Sequence, residues 1–166
     1  MHDILPEDQY YFKKLYQVAE NLAEFYNFQK IDTPILEFAD LFEKSTGATT
    51  DIVEKQMFCL RTRSRDLLAL RPELTPGMMR AFLQHGMLNL PQPVKLYSIG
   101  PTFRHENPQA GRYRQFHQID LEILGERGAV IDAQVIQIFY NLLVELKFKN
   151  PVVEINSIGA SCCRPY

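Results

Sequence analysis

No apolar run in this chain of 166 residues approaches the roughly 20 residues needed to cross a bilayer. The opening Met1-His2-Asp3-Ile4-Leu5-Pro6 also lacks the basic and greasy parts of a signal peptide. Both absences point to a cytoplasmic protein with no membrane partner. Charge of one sign is missing as well. The formal net charge is -2, which excludes a surface coated in basic residues for nucleic acid and leaves room only for a local basic patch. Cysteine is scarce: Cys59, Cys162 and Cys163 are odd in number and none has CxxC spacing. This speaks for free thiols in a reducing compartment and against a redox or metal centre. With no internal repeat, low-complexity tract or linker, the chain reads as one domain with its own core.

What is present is ordinary globular material, 46% hydrophobic and 23% charged. After Pro6, Tyr11, Phe12, Leu15, Val18, Ala19, Leu22, Phe25 and Tyr26 recur at three- and four-residue intervals, predicting an amphipathic helix that ends at Asn27. A short strand over Phe28 to Ile31 runs on into Asp32 to Glu37, where Pro34 restricts the segment to a sheet edge or an interface. Asp40 is placed to cap a short helix closed by Gly47, and residues 45 to 55 read as a loop. Phe58 to Leu60 and Leu67 to Leu70 read as hairpin strands around a solvated, arginine-rich turn.

Farther on, Thr75 and Pro76 stand where a helix cap and first turn are expected, and Met78, Met79, Phe82, Leu83 and His85 fall near one helical face. The methionines read as core filler and His85 as a surface or satisfied histidine. Glu73 leaves a strand just before that helix, a junction that can aim a carboxylate at a pocket or serve only as a cap. Val94, Leu96 and Ile99 predict a strand ending before Gly100-Pro101. Val135 to Leu146 predict a second strong helix begun near Asp132 and broken at Asn150-Pro151, and Val152 to Asn156 a last strand. The class is therefore α+β, a mixed, mainly antiparallel sheet with helices against one face. No terminating element follows the last strand, which reads as an incomplete domain.

The most informative stretch is Phe103 to Gly125, a strand, a turn-rich centre at Asn107 to Gly111, and a returning strand. Alternation puts Gln115, His117, Ile119, Leu121 and Ile123 on one face of the return. Arg112, Arg114, Phe116, Gln118, Asp120 and Glu122 fall on the other. A polar strand face ordinarily meets water. Here it includes an aromatic plate and both charge signs, with Arg104 available from the partner strand, and such a set can grip a nucleotide together with a small zwitterion.

The hairpin FRHENPQAGRYRQFHQIDLEILG resembles motif 2 of the class II aminoacyl-tRNA synthetases, and in detail that of the histidyl-tRNA synthetases. The opening DILPED, the segment Phe28 to Glu37 (motif 1, dimer-forming), Leu70 to Thr75 (LRPEGT in the family) and Ile155 to Gly159 resemble further family segments in the same order. The resemblance implies a class II synthetase-like sheet flanked by helices. It also implies activation of histidine with ATP and Mg2+, transfer to tRNA(His), and a homodimer formed through Phe28 to Glu37.

By position it implies Glu73, Thr75 and Gln118 around the histidine amino group and Glu122 facing the imidazole. Arg104 would bridge the substrate carboxylate and the ATP α-phosphate as the catalytic residue. Glu106 would contact the adenine amino group, Phe116 would stack on the adenine, and Arg112 would lie near the phosphates; no residue is assigned to a metal. Leu74 departs from the family's usual glycine. Motif 3 and the anticodon-binding domain are not in this chain, so residues 1–166 would be the N-terminal portion of the catalytic core, with little activity alone. The alternative is the non-ligating regulatory paralogue that serves histidine biosynthesis.

Overall fold

The computed structural model describes residues 3–46, 57–107 and 109–156. Helix α1 (Gln9–Phe25) starts after a turn that contains Pro6, so the proline precedes the helix instead of opening it. Asn27 ends α1 with a left-handed backbone (φ 63°), which an Asn tolerates better than most residues. Strand β1 (Gln29–Lys30) follows, then β2 (Leu36–Phe38) and α2 (Ala39–Thr46). Asp40 lies within the first turn of α2 and not at its cap, while Gly47 and the loop beyond it lie outside the described residues.

Strands β3 (Cys59–Arg61) and β4 (Leu67–Leu70) form the expected antiparallel hairpin. Its turn is held by Thr62, Ser64 and Asp66 bonding among themselves, which leaves the arginines to water. Strand β2 pairs with the other side of β4, completing a sheet ordered β2-β4-β3. Pro34 precedes β2, and β2 is an edge strand, as a segment with a proline at its entrance should be.

After α3 (Thr75–Gln84) and a single 3-10 turn, β5 (Val94–Phe103) runs unbroken through Gly100-Pro101, where the sequence suggested a stop. It pairs antiparallel with β6 (Gln115–Leu124) along all ten residues and parallel with β1, so the second sheet is mixed and ordered β1-β5-β6. Helix α4 (Ala129–Glu145) begins three residues before Asp132 and ends before Lys147, whose φ is 65°. Residues 151–156 are irregular: among the described residues no strand pairs with them, so apolar composition alone did not make the expected last strand.

Helices pack on both faces of the β1-β5-β6 sheet, and not on one. Val94 and Leu96 of β5, with Leu124 of β6, meet Leu74, Met78 and Phe82 from the α3 side. Tyr97, Ile99, Leu121 and Ile123 point the other way, against Ala23 of α1, Phe28 and Ile138 of α4. Leu83 departs from the predicted helical face and is exposed, as is His85 at the end of α3. The two sheets are joined by a buried arginine. Arg71, leaving β4, donates from Nη1 to the Thr33 carbonyl at 2.7 Å and from Nε to the Pro101 carbonyl at 2.9 Å. Its guanidinium lies over Gly100, where an added Cβ would overlap it. Arg80 of α3 also pairs with Glu37 of β2, fixing the helix to the edge strand.

Candidate active site

The period-two reading of β6 holds from Gln115 onward, and the paired registers put Gly100 opposite Gln118, Ser98 opposite Asp120 and Leu96 opposite Glu122. The even-numbered face therefore rises toward the start of α3. Arg112 and Arg114 fall outside the strand, in the loop before it, because the turn consumes residues that alternation alone would extend into β6.

Six of the expected residues meet over this face together with Asp120. Thr75 donates its hydroxyl to Glu122 Oε1 at 2.7 Å and approaches Asp120 Oδ2 at 3.4 Å. Arg104 donates from Nε to the Pro72 carbonyl at 3.0 Å, and its guanidinium stands 5.2 Å from the centre of the Phe116 ring, a cation–π stack. Arg104 also acts electrostatically on Glu73 and on Asp120, lowering the proton affinity of both. Among the described residues, the two terminal amino groups of Arg104 meet no hydrogen-bond partner. Gln118 sits on the same face with its Oε1 buried and without a partner among the described residues.

Glu106 and Arg112 stand apart from this group. They face each other within the loop, Arg112 Nη1 lying 3.7 Å from Glu106 Oε2. Gly111, at φ 79°, provides the bend between them, and Gln109 bridges back to Arg112. With Arg112 exposed and Glu106 partly buried, a pair at that distance is weak, so Arg112 is available for exchange with a ligand.

Thr75 does not cap its own helix. Leu74 is the N-cap and offers no side-chain bond; Thr75 is the first helical residue and Pro76 the second. Asp120, given no role from the sequence, takes up this position from across the sheet. Its carboxylate lies 3.4 Å from the Thr75 hydroxyl, and the backbone N–H groups of Leu74 and Thr75 act on it to favour its charged form. Its place between Gln118 and Glu122 on the alternating face was the available signal.

Burial pushes the carboxyl groups of Glu73, Asp120 and Glu122 upward from their ordinary values, and the Asp120 charge raises Glu73 and Glu122 further. A carboxyl whose folded pKa exceeds its unfolded pKa binds its proton more tightly when folded. Its ionisation therefore costs stability at neutral pH, and the cost is lifted as pH falls through the raised value toward about 4. His117, edge-on to Phe12 and Tyr16, is shifted down by burial and opposes this trend below its usual 6.5. The carboxylate contribution is isolated by comparison with Glu122→Gln. That variant is expected to melt above the parent at pH 8, with the advantage shrinking as pH approaches about 4. An advantage constant with pH would mean that Glu122 titrates normally.

The arrangement is an acceptor-rich cluster beside a stacked, partly free guanidinium, on the antiparallel β5-β6 pair of a mixed sheet flanked by helices. Its fold is shared with synthetase structures: apo histidyl-tRNA synthetase of S. aureus superposes with a TM-score of 0.73 at 32% identity, covering 87% of this chain and 33% of that one. The sequence model of the family described as histidyl-tRNA synthetase matches residues 1–160. The histidine–tRNA ligase of Aquifex aeolicus (strain VF5) is 50% identical over 158 residues, 95% of this chain and 39% of that protein. That of Dictyoglomus turgidum is 46% identical over 165 residues, 99% of this chain and 40% of that protein. This chain belongs to the histidyl-tRNA synthetase family. It spans about 40% of the length of the curated relatives it matches. A Bacillus halodurans C structure described as an ATP phosphoribosyltransferase regulatory subunit/histidyl-tRNA synthetase shares the fold, with a TM-score of 0.77 at 23% identity.

Proposed function

We propose that this chain supplies the motif 1 and motif 2 part of a cytoplasmic, ATP-dependent histidine–tRNA ligase, one that forms histidyl-adenylate and transfers histidine to tRNA(His). The observation that carries the reading is the buried, unpartnered Gln118 Oε1 on the face that also carries Glu122. A buried acceptor without a donor is costly and calls for a ligand that brings one. Together with Glu73 and the Thr75 hydroxyl, Gln118 suits an ammonium group, while Glu122 suits an imidazole N–H. Partners of this kind reject side chains that cannot pair with them.

In this reading Arg104 brings two anions together, the histidine carboxylate and the ATP α-phosphate. The carboxylate attacks phosphorus in line and pyrophosphate leaves. Positioning and charge stabilisation supply most of the rate, and a planar fork already fixed by Pro72 and Phe116 reorganises little. Phe116 would exchange part of its cation–π contact for the adenine ring. Glu106 would release Arg112 to meet the adenine amino group, leaving Arg112 for the phosphates. Magnesium enters as a companion of those phosphates, with no residue of the chain assigned to it. The homodimer would form through Phe28 to Glu37. The regulatory paralogue is the weaker reading, since the ligases of A. aeolicus and D. turgidum are 50% and 46% identical to this chain.

Calorimetric titration of the full chain with histidine tests the pocket. Binding is expected, and Glu122→Gln should weaken it about 10- to 100-fold, the effect of losing a hydrogen bond to a charged group. Equal affinity in the two proteins would remove Glu122 from the imidazole site.

A further inference from the structure

The first turn of α3 cannot cap itself. Its N-cap is Leu74, an apolar residue with no side-chain acceptor, and its first turn holds no acidic residue. Pro76 carries no N–H, and the Thr75 hydroxyl is turned away to Glu122. Free donors at a helix start are nevertheless there to be met, and a negative group is favoured beside them. The group that meets them comes from a strand 45 residues later in the chain: Asp120 lies 3.4 Å from Thr75 Oγ1. The backbone N–H groups of Leu74 and Thr75 also act on its carboxylate, favouring its charged form.

We propose that Asp120 is a positioning residue for this site: reaching from β6, it holds the start of α3 and the Thr75 hydroxyl in the geometry that receives the amino acid. The role in binding rests on the function proposed above, whereas the role in holding α3 does not. The consequence for Glu122 is direct. Thr75 is the hydrogen-bond partner of Glu122, so the residue that fixes Thr75 also fixes the carboxylate two positions along the same strand face. The burial of Leu74 adds to this, because its side chain is fully enclosed and draws the helix start down onto the sheet where Asp120 can reach it. The bulky residue at this position, where the family usually has glycine, is thus accommodated by packing under the turn.

The test compares Asp120→Ala and Asp120→Asn in the full chain by two measurements, amide hydrogen exchange and histidine titration. In Asp120→Ala, the Leu74 and Thr75 amides are expected to exchange about fivefold faster or more, the effect of losing a helix cap, while β5 and β6 amides keep their parent rates. Histidine affinity should fall about tenfold, as when a supporting group is lost from around a ligand site. Asp120→Asn keeps an acceptor that caps helices well, and it should restore both amide protection and most of the affinity.

Unchanged Leu74 and Thr75 exchange in Asp120→Ala would overturn the proposal. So would an Asn variant that binds as poorly as the Ala variant, since the charge and not the position would then be what matters. If the parent chain binds no histidine, the functional reading fails, and the exchange rates alone still decide whether Asp120 holds α3. Loss of β5 and β6 protection in the Ala variant would mark global unfolding, in which case the Asn variant decides: parent-like exchange supports the capping role and fast Leu74 and Thr75 exchange overturns it.

Discussion

On the function proposed above, an Arg104→Ala substitution in the full-length protein is expected to slow histidyl-adenylate formation about 10²- to 10³-fold, the effect of removing one preorganised donor to a developing charge. Stability should fall by only about 1–2 kcal/mol, because what the fold loses is one hydrogen bond to the Pro72 carbonyl and the stack on Phe116. Pre-steady-state measurement of adenylate formation, with a melting curve beside it, separates the two effects. Arg104→Lys should not rescue the rate. An ammonium cannot hold Pro72 through one nitrogen while presenting two more in a plane, nor stack on Phe116 in the same way. A variant that unfolds would instead make Arg104 a structural residue.

The largest stability effect is expected at Arg71. Replacing it with Ala should cost about 3 kcal/mol or more, since the carbonyls of Thr33 and Pro101 would lose a charged donor and a cavity would open between the two sheets. Gly100→Ala acts on the same place from the other side. Its methyl group would overlap a guanidinium that cannot swing aside, because two backbone carbonyls hold it, and overpacking of this kind costs about 1–3 kcal/mol. The double variant should be less unstable than the sum of the two, since the shortened side chain makes room for the methyl. Urea denaturation of the four proteins measures this directly, and strict additivity would show that the two positions do not touch.

The parts of the fold legible in the sequence were those governed by short-range periodicity. The helical spacing from Tyr11 to Tyr26 and the alternation from Gln115 to Ile123 reappear as α1 and β6, although Tyr11 and Phe25, counted on the apolar face of α1, are exposed. The misreadings have long-range causes. Gly100-Pro101 reads as a strand end, yet β5 continues because β6 pairs with it as far as Phe103, while Arg71 leaves no room for a side chain at Gly100. Thr75 reads as a local cap, whereas the carboxylate beside the start of α3 is that of Asp120 on β6, which no local pattern reveals. Val152 to Asn156 has the composition of a strand and lacks a partner among the described residues. At the site, alternation correctly grouped Phe116, Gln118, Asp120 and Glu122. Identifying Asp120 as a support required knowing where α3 begins.

Strand β1 also bears on the order in which the molecule is assembled during synthesis. Gln29 and Lys30 emerge early, yet their parallel partners Leu96 and Tyr97 are not available until β5 has been made. Throughout that interval β1 is an unpaired edge exposed to any neighbouring extended chain. A two-residue strand offers such a neighbour almost no ladder to extend. Its brevity, which adds little to the finished sheet, protects the nascent chain while it waits for β5.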